Sequence, residues 1–107
     1  IVAQIEHVNA LADLDGIFSH HQQDANMIST NDLSASMGLN GRIDHPDFLA
    51  ALAQIEQKAE ARGIAKGYHV VQPNPDDLRA KADQGYTFIA YGIDALFLLH
   101  ADRRPGA

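Results

Sequence analysis

Two carboxylates carry most of the chemistry legible in this chain. Glu6 ends the apolar run Ile1-Val2-Ala3-Gln4-Ile5, and Asp32 ends a second run, Ala25 to Asn31, leading into Leu33-Ser34-Ala35-Ser36-Met37-Gly38. An acid at the C-terminal tip of each of two neighbouring parallel strands faces one common cavity, the end of α/β sheets and barrels where chemistry sits. The chain contains no cysteine. Two hard oxygen donors without a thiol point to a divalent cation such as Mg²⁺ that keeps positions open for substrate.

Other reactive side chains carry less. Ser34 and Ser36 read as helix-start or loop hydroxyls, since no Gly-x-Ser-x-Gly elbow surrounds either. Adjacent His20 and His21 would point apart on a regular helix, and no His-x-x-x-His spacing occurs, so a zinc site is not expected. Asn74-Pro75-Asp76-Asp77 lacks the alternating acids and central glycine of a calcium loop. Gly38 and Gly41 fit no phosphate-binding fingerprint.

The elements that must hold these residues alternate strand and helix. Ile1–Glu6 is a strand, Val8–Leu14 a short helix bearing Ala10, Leu11 and Leu14, and Ser19 to Asp24 a polar helix end or loop. Asn26–Ser29 is a second strand, followed by a loop from Asp32 to Gly41. Asp44-His45-Pro46-Asp47 opens a helix, with Asp44 as the expected cap and Pro and acid in the first turn. Phe48, Leu52, Ile55 and Ala59 then keep one helical face until Gly63. Ile64–Val71 is a third strand interrupted by Gly67. Asn74-Pro75-Asp76-Asp77 caps the next helix, whose apolar side is Leu78 and Ala82 and whose end is Gly85. Thr87–Tyr91 is a fourth strand and Ile93–Ala101 a last helix. Four such units imply parallel strands joined by right-handed crossovers, in either a doubly wound sheet or part of a (β/α)₈ barrel.

Bulk properties narrow the class. The 107 residues suit one domain with short linkers and no internal boundary. No apolar run approaches the roughly 18–20 residues that cross a bilayer. The net charge of −6 carries no basic stripe, its one basic cluster being Arg103-Arg104, so nucleic acid is not an expected partner. Absence of cysteine suits a reducing compartment, and the expected location is cytoplasmic. The chain opens on a strand-like run with neither an initiator Met nor a secretory leader.

Gln4-Ile5-Glu6 and Asn31-Asp32-Leu33-Ser34-Ala35 together resemble the metal-dependent class II 2-oxo-acid aldolases of the HpcH/HpaI family, relatives of the citrate lyase β-subunit. That family has one strand ending in Gln-(Ile/Val)-Glu and a later one ending in Asp-Leu-Ser-Ala, at the same separation. The His45-Pro46 helix start, the Gly67 strand and Gly92-Ile93-Asp94 fit the same pattern. The likeness covers nearly the whole chain and only the second half of the family's barrel, roughly strands 5 to 8.

The resemblance implies that Glu6 and Asp32 hold Mg²⁺, or Mn²⁺ or Co²⁺, and that backbone amides around Ser29, Thr30, Asn31 and Asp32 cradle a pyruvate carboxylate. It implies reversible cleavage of a 4-hydroxy-2-oxo acid to pyruvate, or a close 2-oxo acid, and an aldehyde. His69 falls where the family has a usually apolar pocket-lining residue, so it is a candidate substrate contact, with simple packing as the alternative. Ser29-Thr30 replaces the family's usual Gly-Pro. The family's enolate-stabilising Arg and acid–base His belong to the first half of the barrel and have no match here.

A closed barrel typically takes about 250 residues. The expected fold is therefore the C-terminal half of a (β/α)₈ barrel, residues 1–107 forming one (β/α)₄ unit with two open edges. The favoured expectation is a fragment of a longer aldolase, which the helix stop at Arg104-Pro105-Gly106 deprives of any C-terminal swapping helix. Closure by another chain or copy, and an inert remnant that binds metal and small anions, are the alternatives. By resemblance the assembly is a homo-oligomer, commonly a trimer of dimers.

Overall fold

The structure, a computed structural model, describes residues 1–101. The expected helix stop at Arg104-Pro105-Gly106 and the Arg103-Arg104 pair lie outside the described residues. Four short strands form one parallel sheet in the order β1-β2-β3-β4: β1 Val2–Ile5, β2 Ala25–Ile28, β3 Gly67–Val70 and β4 Phe88–Tyr91. The helices are α1 Leu14–Ile17, α2 Thr30–Ser36, α3 Pro46–Ala61, α4 Pro75–Asp83 and α5 Asp94–Ala101. Four parallel strand–helix units laid side by side are the expected partial barrel.

Register sorts the side chains into two faces. Ile5 pairs with Ile28, Ile28 with Tyr68, and Val70 with Tyr91. These residues point to the helix-covered side, where Ile5, Ile28, Tyr68 and Val70 are buried with Leu14, Leu33, Phe48 and Ile55. The alternate residues point to the other side, which no element of the described chain covers. There Val2 and Phe88 remain 46% and 43% exposed, although strands buried on both faces are the rule in parallel sheets.

The helical periodicity of α3 is realised: Phe48, Leu52, Ile55 and Ala59 are all buried. Its cap differs from the expectation. His45, not Asp44, occupies the extended N-cap position, and its Nδ1 accepts the Asp47 amide at 3.1 Å. Asp44 is released to a cavity wall. Asn74 caps α4 as expected, accepting the Asp76 amide at 2.9 Å. On α4 Ala82 is exposed, and Lys81 accompanies Leu78 toward the sheet. The Lys81 Nζ lies 4.1 Å from the centre of the Tyr68 ring, so its stem and charge cover an aromatic face.

Three further expectations change. The segment after β1 is a 3-10 turn, Val8–Asp13, before the single turn of α1. Asp32 to Gly41 is not all loop, because α2 occupies most of it. His20 and His21 lie in a turn with their rings stacked 5.3 Å apart, not splayed as on a helix.

Gly67 opens β3 instead of interrupting a longer strand. A Cβ there would sit 1.9 Å from the Asn26 carbonyl oxygen, so only glycine lets β3 approach β2 this closely. The buried Asn26 side chain accepts the Gly67 amide at 3.1 Å, supplying a bond where the β2–β3 ladder is sparse.

Candidate functional site

Glu6 stands one residue past β1. The Ser29 amide donates to the Ile5 carbonyl at 3.0 Å, carrying the β1–β2 ladder to the strand tips and bringing Glu6 level with the start of α2. Asp32 is not at a strand end, as its place in the apolar run suggested, but in the first turn of α2. Ser29-Thr30-Asn31-Asp32 has the spacing of a helix-capping box, but the Ser29 side chain makes no hydrogen bond to the helix amides and its own amide goes to Ile5. Ser29 adopts the extended N-cap conformation, and its Oγ donates to Asp32 Oδ2 at 2.6 Å. The carboxylate is thereby held beside the helix start, where the dipole favours negative charge.

Glu6 and Asp32 are both exposed. Among the described residues no group of three or more His, Asp or Glu side chains is placed to hold a metal. The donor set on offer is two carboxylates plus a serine hydroxyl already bound to one of them. An all-oxygen pair of this kind fits a hard divalent cation that keeps several positions for water or substrate.

The remaining serines are structural. Ser34 Oγ donates to the Asn31 carbonyl and accepts the Gly41 amide, both at 2.9 Å. Ser36 Oγ donates to the Leu33 carbonyl at 2.7 Å and accepts the Val8 amide at 2.8 Å.

A cavity of about 540 Å³ opens beside the start of α2. Thr30 and Asn31 line one end, His69 and Gln72 its sheet side, and Asp77 and Lys81 the far end. Phe48, Leu49 and Leu52 of α3 supply apolar wall. Thr30 and Asn31 line this space and His69 borders it from β3, its side chain alternating to the face opposite Tyr68 and Val70, whereas Glu6 and Asp32 are not part of the lining. Sequence reasoning missed Asp44, Gln72, Asp77 and Lys81. Only Lys81 left a signal, lying three residues from Leu78 on the same helical face.

Burial lowers the Lys81 ammonium below its ordinary range, against the opposing pull of Glu56 and Asp77. Tyr68 beneath it is pushed up, chiefly by burial. Tyr86 is raised much further by burial and by the hydrogen bond its hydroxyl donates to Glu56.

His69 is fixed by backbone. Its Nε2 lies 2.9 Å from the Gly92 carbonyl, and the Gly92 amide donates to the Val70 carbonyl at 2.7 Å. Gly92 has φ +71°, and a Cβ on it would meet the Phe97 ring at 2.5 Å.

The model of the HpcH/HpaI aldolase/citrate lyase family matches residues 1–101. The chain is 35% identical over all 107 residues to a hydroxypyruvate/pyruvate aldolase of Cupriavidus necator, covering 39% of that protein. It is 32% identical over 94 residues, 88% of its length, to a 5-keto-4-deoxy-D-glucarate aldolase of Escherichia coli, covering 36% of it. A crystal structure of a HpcH/HpaI aldolase/citrate lyase family protein from Burkholderia cenocepacia J2315 superposes with a TM-score of 0.87 at 27% identity, over 96% of this chain and 39% of the other. The chain therefore spans only 36% to 39% of the length of these relatives. On its sequence and its fold alike, it belongs to the HpcH/HpaI aldolase/citrate lyase family.

Proposed function

We propose that this chain forms part of a metal-assisted aldolase that cleaves a 4-hydroxy-2-oxo acid to pyruvate, or a related 2-oxo acid, and an aldehyde. The observation that carries the reading is the β1–β2 register, which sets Glu6 level with Ser29 at the start of the helix bearing Asp32. The names of the Cupriavidus and Escherichia relatives, both aldolases, support the reaction class.

In this reading Glu6 and Asp32 hold the cation, Mg²⁺ in the first instance and Mn²⁺ or Co²⁺ as alternatives. Bound there, the cation supplies Lewis-acid polarisation of the substrate's keto oxygen. Ser29 keeps Asp32 oriented. The first-turn amides of Thr30, Asn31 and Asp32, which a helix leaves without intrahelical partners, receive the 2-oxo acid's carboxylate. His69 faces the aldehyde half. Cleavage breaks the C3–C4 bond: its electron pair passes to the 2-oxo-acid fragment, and the C4 hydroxyl proton passes to a base. The base and an enolate-stabilising arginine come from the rest of the barrel, since no residue here fills either role. The working protein is then a cytoplasmic homo-oligomer acting on small molecules.

A second reading, an incomplete half-barrel that needs a partner chain or merely binds metal and small anions, is favoured by the uncovered inner face with Val2 and Phe88 exposed. The test is pyruvate release from 4-hydroxy-2-oxo acids by the complete protein, with and without EDTA. Glu6→Gln and Asp32→Asn are each expected to lower kcat/KM by about a thousandfold or more, a loss of roughly 4 kcal/mol of transition-state stabilisation. Unchanged release in either variant would remove the metal assignment, and turnover by residues 1–107 alone would remove the second reading.

A further inference from the structure

The three lysines of the chain stand in different surroundings. Lys58 is paired with Asp15 at 2.8 Å and Lys66 with Glu60 at 2.7 Å. Among the described residues no carboxylate lies within ion-pair distance of Lys81, whose Nζ donates to the Gln84 side-chain carbonyl at a loose 3.3 Å. The residue is half-buried, and its nitrogen stands 4.1 and 5.6 Å from the centres of the Tyr68 and Tyr86 rings. An ammonium so placed loses hydration without gaining an anion, which favours the neutral, nucleophilic amine. Burial accordingly lowers Lys81 from its ordinary range, against the weaker pull of Glu56 and Asp77.

The nitrogen also has a space to react in. Lys81 lines the far end of the cavity of about 540 Å³, a volume within the roughly 300–1,000 Å³ of small-molecule sites. Phe48, Leu52 and Val70 give it buried apolar wall. Asp44 and Asp77 line it as exposed acids, which disfavour an anionic guest. A carbonyl compound suited to this cavity is therefore neutral, with a short apolar body.

We propose that Lys81 is a site of reversible covalent capture, forming an imine with small neutral aldehydes that enter the cavity between α3, α4 and the end of β3. The amine lone pair attacks the carbonyl carbon, a C–N bond forms, and one nitrogen proton moves to the carbonyl oxygen. The new hydroxyl and the second nitrogen proton then leave as water, and the C=N bond remains. No oxidant or reductant is needed, and water reverses the step. Once protonated, the imine keeps a positive charge over the Tyr68 ring, so the contact that holds Lys81 survives capture. Aldehydes are the class that the reaction proposed above releases, but the inference stands without that reading, since it needs neither metal nor turnover.

The experiment is reductive trapping in the complete protein, with butanal and cyanoborohydride at neutral pH and EDTA present, followed by peptide mapping. Label at Lys81 is expected to exceed that at Lys58 and at Lys66 by about tenfold after equal exposure. Succinic semialdehyde is a four-carbon aldehyde with a terminal carboxylate. Normalised to free Nα-acetyl-lysine in the same tube, it should label Lys81 about threefold less than butanal does. Lys81→Arg keeps the charge over Tyr68 but forms no imine, so it should lose this label and leave Lys58 labelling unchanged. The wild-type map by itself decides the matter if that variant does not fold. No excess at Lys81 over Lys58 and Lys66, or labelling of Lys81 by the semialdehyde equal to that by butanal, would overturn the proposal. Because EDTA is present throughout, such a failure would leave the metal-assisted reading untouched.

Discussion

Ser29 stands at the start of α2 and touches the candidate metal site, its hydroxyl donating to one carboxylate oxygen of Asp32 at 2.6 Å. Partners of this kind orient a ligand before the cation arrives, and their loss commonly costs about 10–100-fold in metal affinity. Ser29→Ala should therefore weaken Mn²⁺ binding by roughly tenfold, as read by titration with Mn²⁺ under EPR detection, while folding stability falls by no more than about 1 kcal/mol. Gly67 makes a contrasting prediction, since its role is entirely steric. A methyl group there has no room beside the Asn26 carbonyl, so Gly67→Ala should destabilise the protein by about 3 kcal/mol or more in urea unfolding. A loss under 1 kcal/mol would mean that β2 and β3 can part without cost.

At the level of elements, α3 is held by side chains at its start and along its length. His45 caps its start, and His45→Ala should cost about 1 kcal/mol in the same unfolding measurement. Farther along, Glu56 accepts the hydroxyl of Tyr86, which is buried just before β4 and packs edge-on against Tyr68. The raised pKa of Tyr86 has a definite consequence in alkali. An unfolded tyrosine loses its proton near pH 10, while the folded one resists, so above that pH the folded state binds more protons than the unfolded. Stability must then fall as pH rises. Lys81 acts in the opposite sense: burial lowers it, the folded state releases its proton first, and stability rises with pH over the same range. The Tyr86 shift is the larger, and Tyr68 adds to it. The net expectation is a decline in stability from about pH 10 upward, measured by denaturant midpoints. Tyr86→Phe should flatten that decline. A slope unchanged in the variant would place the titrating group elsewhere.

On the scale of the molecule, one face of the sheet is packed and the other is open. Val2 and Phe88 are exposed on the uncovered face, and α5 presents Leu98 and Leu99 at 72% and 71% exposure. Apolar surface of this kind, together with two free strand edges, drives association. Residues 1–107 expressed alone should bind a hydrophobic dye such as ANS and self-associate, as followed by light scattering coupled to size exclusion. The closed barrel proposed above, with its inner face covered, should not bind the dye. A monodisperse, dye-silent monomer of residues 1–107 would contradict this account of the inner face.

Much of this was legible before any coordinates. The alternation of four strands and helices, the buried face Phe48-Leu52-Ile55-Ala59 and the Asn74 cap rest on signals only a few residues long, and these signals act wherever the chain goes. Gln4-Ile5-Glu6 and Asp32-Leu33-Ser34-Ala35 likewise named the family from local strings. What the sequence could not settle depends on distance across the fold. His45 displaced Asp44 as the cap because the turn before α3 decides which side chain reaches the Asp47 amide. Asp32 moved from a strand end into a helix because Ser29, anchored to the Ile5 carbonyl, ends the strand three residues earlier. Lys81 became cavity wall because Tyr68 of β3 and Tyr86 from the turn before β4 meet beneath it. The cap is a matter of local turn geometry, but the Asp32 and Lys81 outcomes were decided by how neighbouring parallel strands align, a relation among residues about twenty positions apart that no local pattern encodes.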